Sequence, residues 1–311
     1  MPYDAATMKR LTSIVVAVDF TPCSARALRE AIRLAQSSGA QLHAVHVIDH
    51  LVVSELEDAL AGIQPGLREG IQSDAEEAWR AFARQIPGAE RLQLRISVEH
   101  RVTGILDRVA ADHADLLVLG AHGDRPPELG VGSVAASCVR KSPADVLLVR
   151  DAATGSPDGR FQTVVAAVDF SPTARHALAR AAEVAHADGA ALHVLHVFDG
   201  PWHKLHYRAP TREADPHFQR QYRTALEGRL EDFAQPVLSA FAGMTATFTV
   251  LDHPGHRSGI VQHAESVHAD LIVLGTRGRA SIRDLLLGST AERALAESRC
   301  SVLAVKPMAD A

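Results

Sequence analysis

The sequence predicts an α/β protein of two tandem domains, each a five-stranded, mostly parallel sheet with helices on both faces. Three observations carry this expectation. The chain is written twice: residues 14–49 and 164–199 share 17 of 36 positions at a constant offset of 150. Within each copy, short apolar runs of the kind that make buried strands alternate with helix-length segments. A length of 311 residues is ordinary for two domains and large for one.

The elements follow in order. "IVVAVD" and "VVAAVD" are first strands. Thr21 or Ser24, and Ser171 or Thr173, can cap the helices that follow. Gly39 and Gly189 suit the stops of those helices. "QLHAVHVID" and "ALHVLHVFD" are second strands, and longer helical regions are expected over about 67–86 and 217–242, the latter broken at Pro236. "LQLRISVEH" and "TATFTVLDH" are third strands, each followed by a helix. The fourth strands sit in "ADLLVLGAHG" (114–123) and "ADLIVLGTRG" (269–278), offset 155. After a glycine loop come a helix and a last strand, in residues 132–150 and 288–306, offset 156. The length changes fall between the blocks, where loops absorb them. The expected domains are residues 1–150 and 161–311, joined by the small polar segment 151–160, "DAATGSPDGR".

Composition narrows the function. Apolar residues make up 47% and charged residues 22%, as in a globular chain with a sizeable core. A net charge of -5 argues against a general nucleic-acid binder, which needs Lys and Arg for phosphates. No stretch has the length of a membrane-spanning helix, and "MPYDAATMKRLTS" lacks the apolar run of a secretory leader. Cys23, Cys138 and Cys300 are sparse and odd in number, which fits reduced thiols in a cytoplasm.

The stretch "GTRGRASIRDLLLGST", residues 275–290, sits between the second copy's fourth strand and its next helix. In a parallel sheet, ligands bind beyond the carboxyl ends of the strands near the switch in strand order. Asp19 or Asp169 at the end of strand one should meet the glycine loop there. A carboxylate can accept from a ribose hydroxyl or base amine, and glycines let backbone approach an anion. Gly288 and Ser289 would open a helix whose free N–H groups favour phosphate. Ser289 and Thr290 add hydroxyls, and Arg277, Arg279 and Arg283 add charge. Taken alone, a GxxG in such a loop also serves as plain turn geometry. No GxxxxGK[ST] occurs. "GVGSVA" at 130–135 does not follow a strand pattern and is set aside as a dinucleotide fingerprint.

Gly275-x-x-Gly278, nine residues, then Gly288-Ser289-Thr290 resembles the G-2x-G-9x-G-[ST] motif of nucleotide-binding universal stress proteins. "VVAAVDFSP", "LHVLHVFD" and "ADLIVLGTRG" are similar to that family as well, and the likeness covers nearly the whole chain in two copies. It implies the family's five-stranded α/β fold, shared with the adenine nucleotide α-hydrolase type. It also implies a nucleotide site. Asp169 would contact the adenosine part of ATP, Val197 the adenine through its backbone, and Gly275 the ribose. Gly278, Gly288, Ser289 and Thr290 would hold the phosphates of ATP, ADP or AMP, with magnesium or manganese as the candidate bridging ion. The family's last strands commonly pair across a dimer, so the resemblance implies an internal pseudo-dimer, with a homodimer as a further arrangement.

The first copy departs. Gly120-x-x-Gly123 is followed by eight residues before Gly132-Ser133, Pro126 and Pro127 interrupt the loop, and Val134 stands where the second copy has Thr290. A proline has no N–H to donate. The first site, carried by Asp19, Val47, Gly120, Gly123, Gly132 and Ser133, is therefore expected to bind nucleotide weakly or not at all.

The chain has 17 histidines but no HExxH and no CxxC, so no metal set is assigned. His263 and His268 nearly share a helix face at a spacing poor for ligation. No placed nucleophile or paired carboxylate marks a catalyst; Asp284 is a remote candidate base. The expected function is an adenine-nucleotide-binding module in stress response or signalling, with unidentified protein partners. The alternatives are a slow ATPase or phosphoryl-transfer enzyme, and a scaffold that needs no nucleotide.

Overall fold

The computed structural model describes residues 10–60, 66–124, 130–150, 159–203, 215–277 and 288–307. The chain divides into two compact units, one spanning Arg10–Asp151 and the other running from Ala152 to Ala311.

In the first unit the strands are β1 (Ser13–Ala17), β2 (Gln41–Asp49), β3 (Leu94–Glu99), β4 (Leu116–Gly120) and β5 (Asp145–Val149). Their order is β3-β2-β1-β4-β5, with every described pairing parallel. The helices are α1 (Pro22–Ser38), α2 (His50–Ala59), α3 (Leu67–Ala83), α4 (Arg101–Ala111) and α5 (Ser133–Lys141). The order runs outward from β1 to β3, then returns to β4 and continues to β5. Right-handed crossovers therefore put α1 and α3 on one face and α4 and α5 on the other; α4 packs on α5 accordingly.

The second unit repeats this plan. It has β6 (Thr163–Ala167), β7 (Ala191–Phe198), β8 (Ala246–Asp252), β9 (Leu271–Gly275) and β10 (Ser301–Val305). Their order is β10-β9-β6-β7-β8, again parallel throughout. Helices α6 (Pro172–Asp188), α7 (Pro216–Leu238), α8 (His256–Ser266) and α9 (Ser289–Glu297) cover it, with α6 against α7 and α8 against α9.

After a polar first residue in β1 and β6, Ser13 and Thr163, the central strands are near-continuous apolar runs because both of their faces are covered. Ile14, Val15 and Val16 of β1 and Leu117 and Val118 of β4 have no solvent contact, and neither do Val164 and Val165 of β6. The first helix of each unit is closed at both ends as its sequence requires. Thr21 accepts from Ser24 N–H and Ser171 from Ala174 N–H, bonds worth about 1 kcal/mol each. Gly39 and Gly189 end these helices at φ 74 and 69, a left-handed conformation costly for any residue with a Cβ.

Two expectations need correction, and one helix adds to them. The helix before β8 does not break at Pro236 but runs on to Leu238. Pro236 lies in its last turn, so a single lost N–H bond is tolerated, and Ser239 N–H still reaches Gln235 O. Residues 50–59, left without an element by the sequence pattern, form α2; Asp49 caps it by accepting from Leu51 N–H. His268 does not share a helix with His263, because α8 ends at Ser266 and His268 takes φ 51.

Candidate functional site

The switch in strand order falls between β1 and β4 in the first unit and between β6 and β9 in the second, so the connections leaving the carboxyl ends of these strands run to opposite sides there. In the first unit that place is a cleft of roughly 510 Å³, within the usual range for small-ligand sites. Asp19, Val47, Gly120, Gly123, Gly132 and Ser133 all line it. The fold thus brings together residues up to 114 positions apart in the chain.

Each has a physical reason to be there. Asp19 follows β1 by two residues, and its Oδ1 accepts from Thr21 N–H at 3.2 Å and Thr21 Oγ1–H at 2.6 Å. These bonds fix the carboxylate while its other oxygen faces the loop after β4: a Cβ on Gly123 would stand 3.0 Å from Oδ2. Gly120 serves a different end. A Cβ there would meet Cys23 Sγ at 2.9 Å and Cys23 C at 3.1 Å, so this glycine lets the start of α1 pack on the end of β4. Gly132 caps α5 without a side-chain bond, and its N–H closes the loop onto Ala121 O at 2.8 Å. The first-turn N–H groups of α5, on Ser133, Val134 and Ala135, therefore have no side-chain cap, and these three residues line the cleft. An uncapped helix start is a natural anion seat.

Val47 is nearly buried and packs under α4, where a Cβ on Gly104 would come within 3.0 Å of it. Val197 bears the same relation to Gly259 of α8, at 2.8 Å.

In the second unit, Asp169 lies two residues past β6, Val197 is on β7, Gly275 ends β9 and Gly288 caps α9. Asp169 Oδ1 accepts from Ser171 N–H at 3.0 Å, matching the first unit. Gly275 packs on α6, its Cβ position 2.9 Å from Thr173 Cγ2. The Gly288 N–H donates to Thr276 O at 2.8 Å and closes the loop. Ser289 and Thr290 form the first turn of α9. Gly278, Arg279, Arg283 and Asp284 lie outside the described residues, as do the side chains of Ser289 and Thr290.

Several features of the site are silent in the sequence. Phe20 and Phe170, each directly after the site aspartate, both take φ 63. A bulky side chain there costs about 1–3 kcal/mol and marks constrained backbone, often at functional sites. Each ring is held by a histidine and a second phenylalanine: Phe20 by His46 and Phe82, Phe170 by His196 and Phe233. His46 and His196 in turn lie 2.8 Å from Val18 O and Val168 O through Nδ1. Burial pushes both imidazoles below the usual histidine range, against the carbonyl contact that raises them. Burial also lowers His43, with Arg108 and Arg95 adding to the effect.

Arg101 pairs with Asp49 at 3.1 Å and is half exposed; both line the first cleft, as does Val52 of α2. The repeat places Trp202 at the position of Val52. Here the chain forms a short 3-10 turn, Pro201–His203. Asp252 pins it, accepting from Gly200 N–H at 3.1 Å and Trp202 Nε1–H at 2.9 Å, with His203 Nε2 at 2.8 Å. Trp202 packs edge-on against Phe198 and Tyr222.

The three cysteines are buried, and burial pushes the Cys138 thiol up to about 12. No group of three or more His, Cys, Asp and Glu side chains suited to a metal ion occurs among the described residues. None of the described helices is long and apolar enough to cross a membrane.

The universal stress protein family model matches residues 11–150 and 160–306. A universal stress protein of Mycolicibacterium smegmatis is 26% identical over 311 residues, covering 94% of this chain and 97% of the relative. One from Thermus aquaticus is 33% identical over 146 residues, which is 47% of this chain and 99% of that protein. The crystal structure of a universal stress protein from Archaeoglobus fulgidus superposes with a TM-score of 0.64 at 19% identity, covering 94% of this chain and 96% of that one. At that identity the likeness shows the fold.

Proposed function

The chain belongs to the universal stress protein family, and on that premise we propose that it binds an adenine nucleotide, ATP in the first instance, in its second unit. The observation that carries this reading is the intact G-2x-G-9x-G-[ST] spacing from Gly275 to Thr290, set between β9 and α9 at the switch in strand order. Asp169 and Val197 stand on the adjoining strand ends, for the adenosine moiety. Gly278, Gly288, Ser289 and Thr290 take the phosphates, with magnesium or manganese bridging them.

The role is that of a cytoplasmic stress-response or signalling module whose partners read its nucleotide state. The first unit's cleft gives a specific reason to keep a second, weaker site. It gathers Asp19, Val47, Gly120, Gly123, Gly132 and Ser133 around an uncapped helix start. Asp19, Asp49 and Asp124 outnumber Arg101 among its lining residues, which disfavours a polyphosphate there.

The experiment is to purify the protein without added nucleotide, denature it, and count what is released by chromatography and mass spectrometry. About one adenine nucleotide per chain supports a single competent site. Two per chain would make the first unit equal to the second. None, with no ATP binding by calorimetry, would leave an interaction scaffold. Following the ATP to ADP ratio over hours separates a binding module from a slow ATPase.

A further inference from the structure

We propose that His193 and His263 form a site for a divalent transition metal such as zinc, on the α8 face of the second unit's sheet. His193 is on β7 and His263 on α8, with ring centroids 6.0 Å apart and planes at 64°. Two imidazoles bound to one zinc ion at about 2.0–2.1 Å hold their centroids about 5–6 Å apart. Imidazole χ2 is a soft torsion, so a small rotation turns a nitrogen of each ring toward a shared ion. Nε2 of His263 is buried and has no hydrogen-bond partner among the described residues. Buried polar nitrogens are rarely left so, and a site for an ion is one of the ordinary reasons.

The first unit holds the control. The repeat places His43 opposite His193 and Arg108 opposite His263, and Asp112 stands where the second unit has Val267. Asp112 is paired with Arg108, and His43 Nδ1 lies 3.6 Å from Asp112 Oδ2. That imidazole already has a carboxylate beside it, and the guanidinium repels a metal cation. In the second unit the change that adds a ligand is the one from arginine to histidine. The cation is replaced by a second nitrogen ligand, and the carboxylate by an apolar side chain.

The site is separate from the proposed nucleotide site. His193 is the third residue of β7, near its amino end, whereas Val197 lies at the carboxyl end. Two protein ligands leave the remaining positions to water, so this is an exchangeable site of micromolar affinity and not a closed structural one.

The test is zinc titration of the nucleotide-stripped, full-length protein at pH 7.5, by calorimetry and by competition with a chromophoric chelator. One saturable equivalent is expected. Its affinity should fall at least tenfold in His193→Gln and in His263→Gln, and stay unchanged in His43→Gln. Zinc should raise the melting temperature of the wild type and of His43→Gln only. No saturable uptake by the wild type, or uptake that survives in His263→Gln, overturns the proposal. Should a variant fail to fold, copper(II) electron paramagnetic resonance on the wild type decides: coupling to two equatorial nitrogens supports the site, and coupling to fewer refutes it.

Discussion

Oδ2 of Asp19 lies 3.0 Å from where a Cβ on Gly123 would be, so the loop after β4 runs directly against the carboxylate that ends β1. The glycine is a matter of space, not of φ, since Gly123 is not among the residues at positive φ. The proposed nucleotide site makes the corresponding glycines of the second unit decisive. Gly278→Val or Gly288→Val should abolish nucleotide binding with the fold retained by circular dichroism, because a side chain fills the phosphate space. Gly123→Val and Gly132→Val should cost far less of the total binding. Calorimetry that shows equal losses from both pairs would refute the asymmetry.

The glycines of one motif should also divide by stability. Gly120→Ala drives a Cβ into Cys23, including its backbone at 3.1 Å, an overpacking that costs about 1–3 kcal/mol. Gly132→Ala meets nothing closer than Ala121 O at 3.6 Å and should stay within about 0.5 kcal/mol of wild type. Urea midpoints at a common m-value measure both. A Gly120→Ala protein as stable as wild type would remove the packing role assigned here.

Acid should weaken the fold through His46 and His196. Burial holds both below the ordinary histidine value in the folded chain, so the unfolded chain binds more protons once pH drops below about 6.5. Stability is therefore full above that value and declines as pH falls toward the lowered folded values. The melting temperature should drop between pH 7 and 5. His196→Gln should flatten that slope relative to wild type; an unchanged slope would assign the acid sensitivity elsewhere.

Asp252 is a three-donor hub for the turn that carries Trp202. Asp252→Ala leaves the indole N–H and the Gly200 N–H without their acceptor, for a loss of about 1–3 kcal/mol. In a Trp79→Phe background, the remaining tryptophan emission should shift to the red as the turn loosens. ATP should change that emission if Trp202 borders the second-unit site as Val52 borders the first cleft. An emission indifferent to saturating ATP would place the indole away from the ligand.

The duplication, the five strands of each half and the caps at Thr21, Ser171, Gly39 and Gly189 could be read from the chain, because apolar period and cap chemistry are local. The candidate site was legible for the same reason: its glycines and hydroxyls sit at fixed spacing in one loop, and its aspartate ends a recognisable strand. What the chain order hides is what those glycines touch. Gly120 and Gly275 look like ligand residues in the motif, yet each makes room for the helix after the first strand of its unit. Gly288 opens the motif's last helix, and its N–H also closes its own loop on Thr276. Nor does local pattern announce the left-handed Phe20 and Phe170, the helix running through Pro236, or His193 beside His263. Each depends on atoms far apart in sequence whose meeting is set by strand order and crossover hand. Local propensity determined the elements and marked the loop; only the packing of those elements decided which polar groups are spent on the fold and which remain for a ligand.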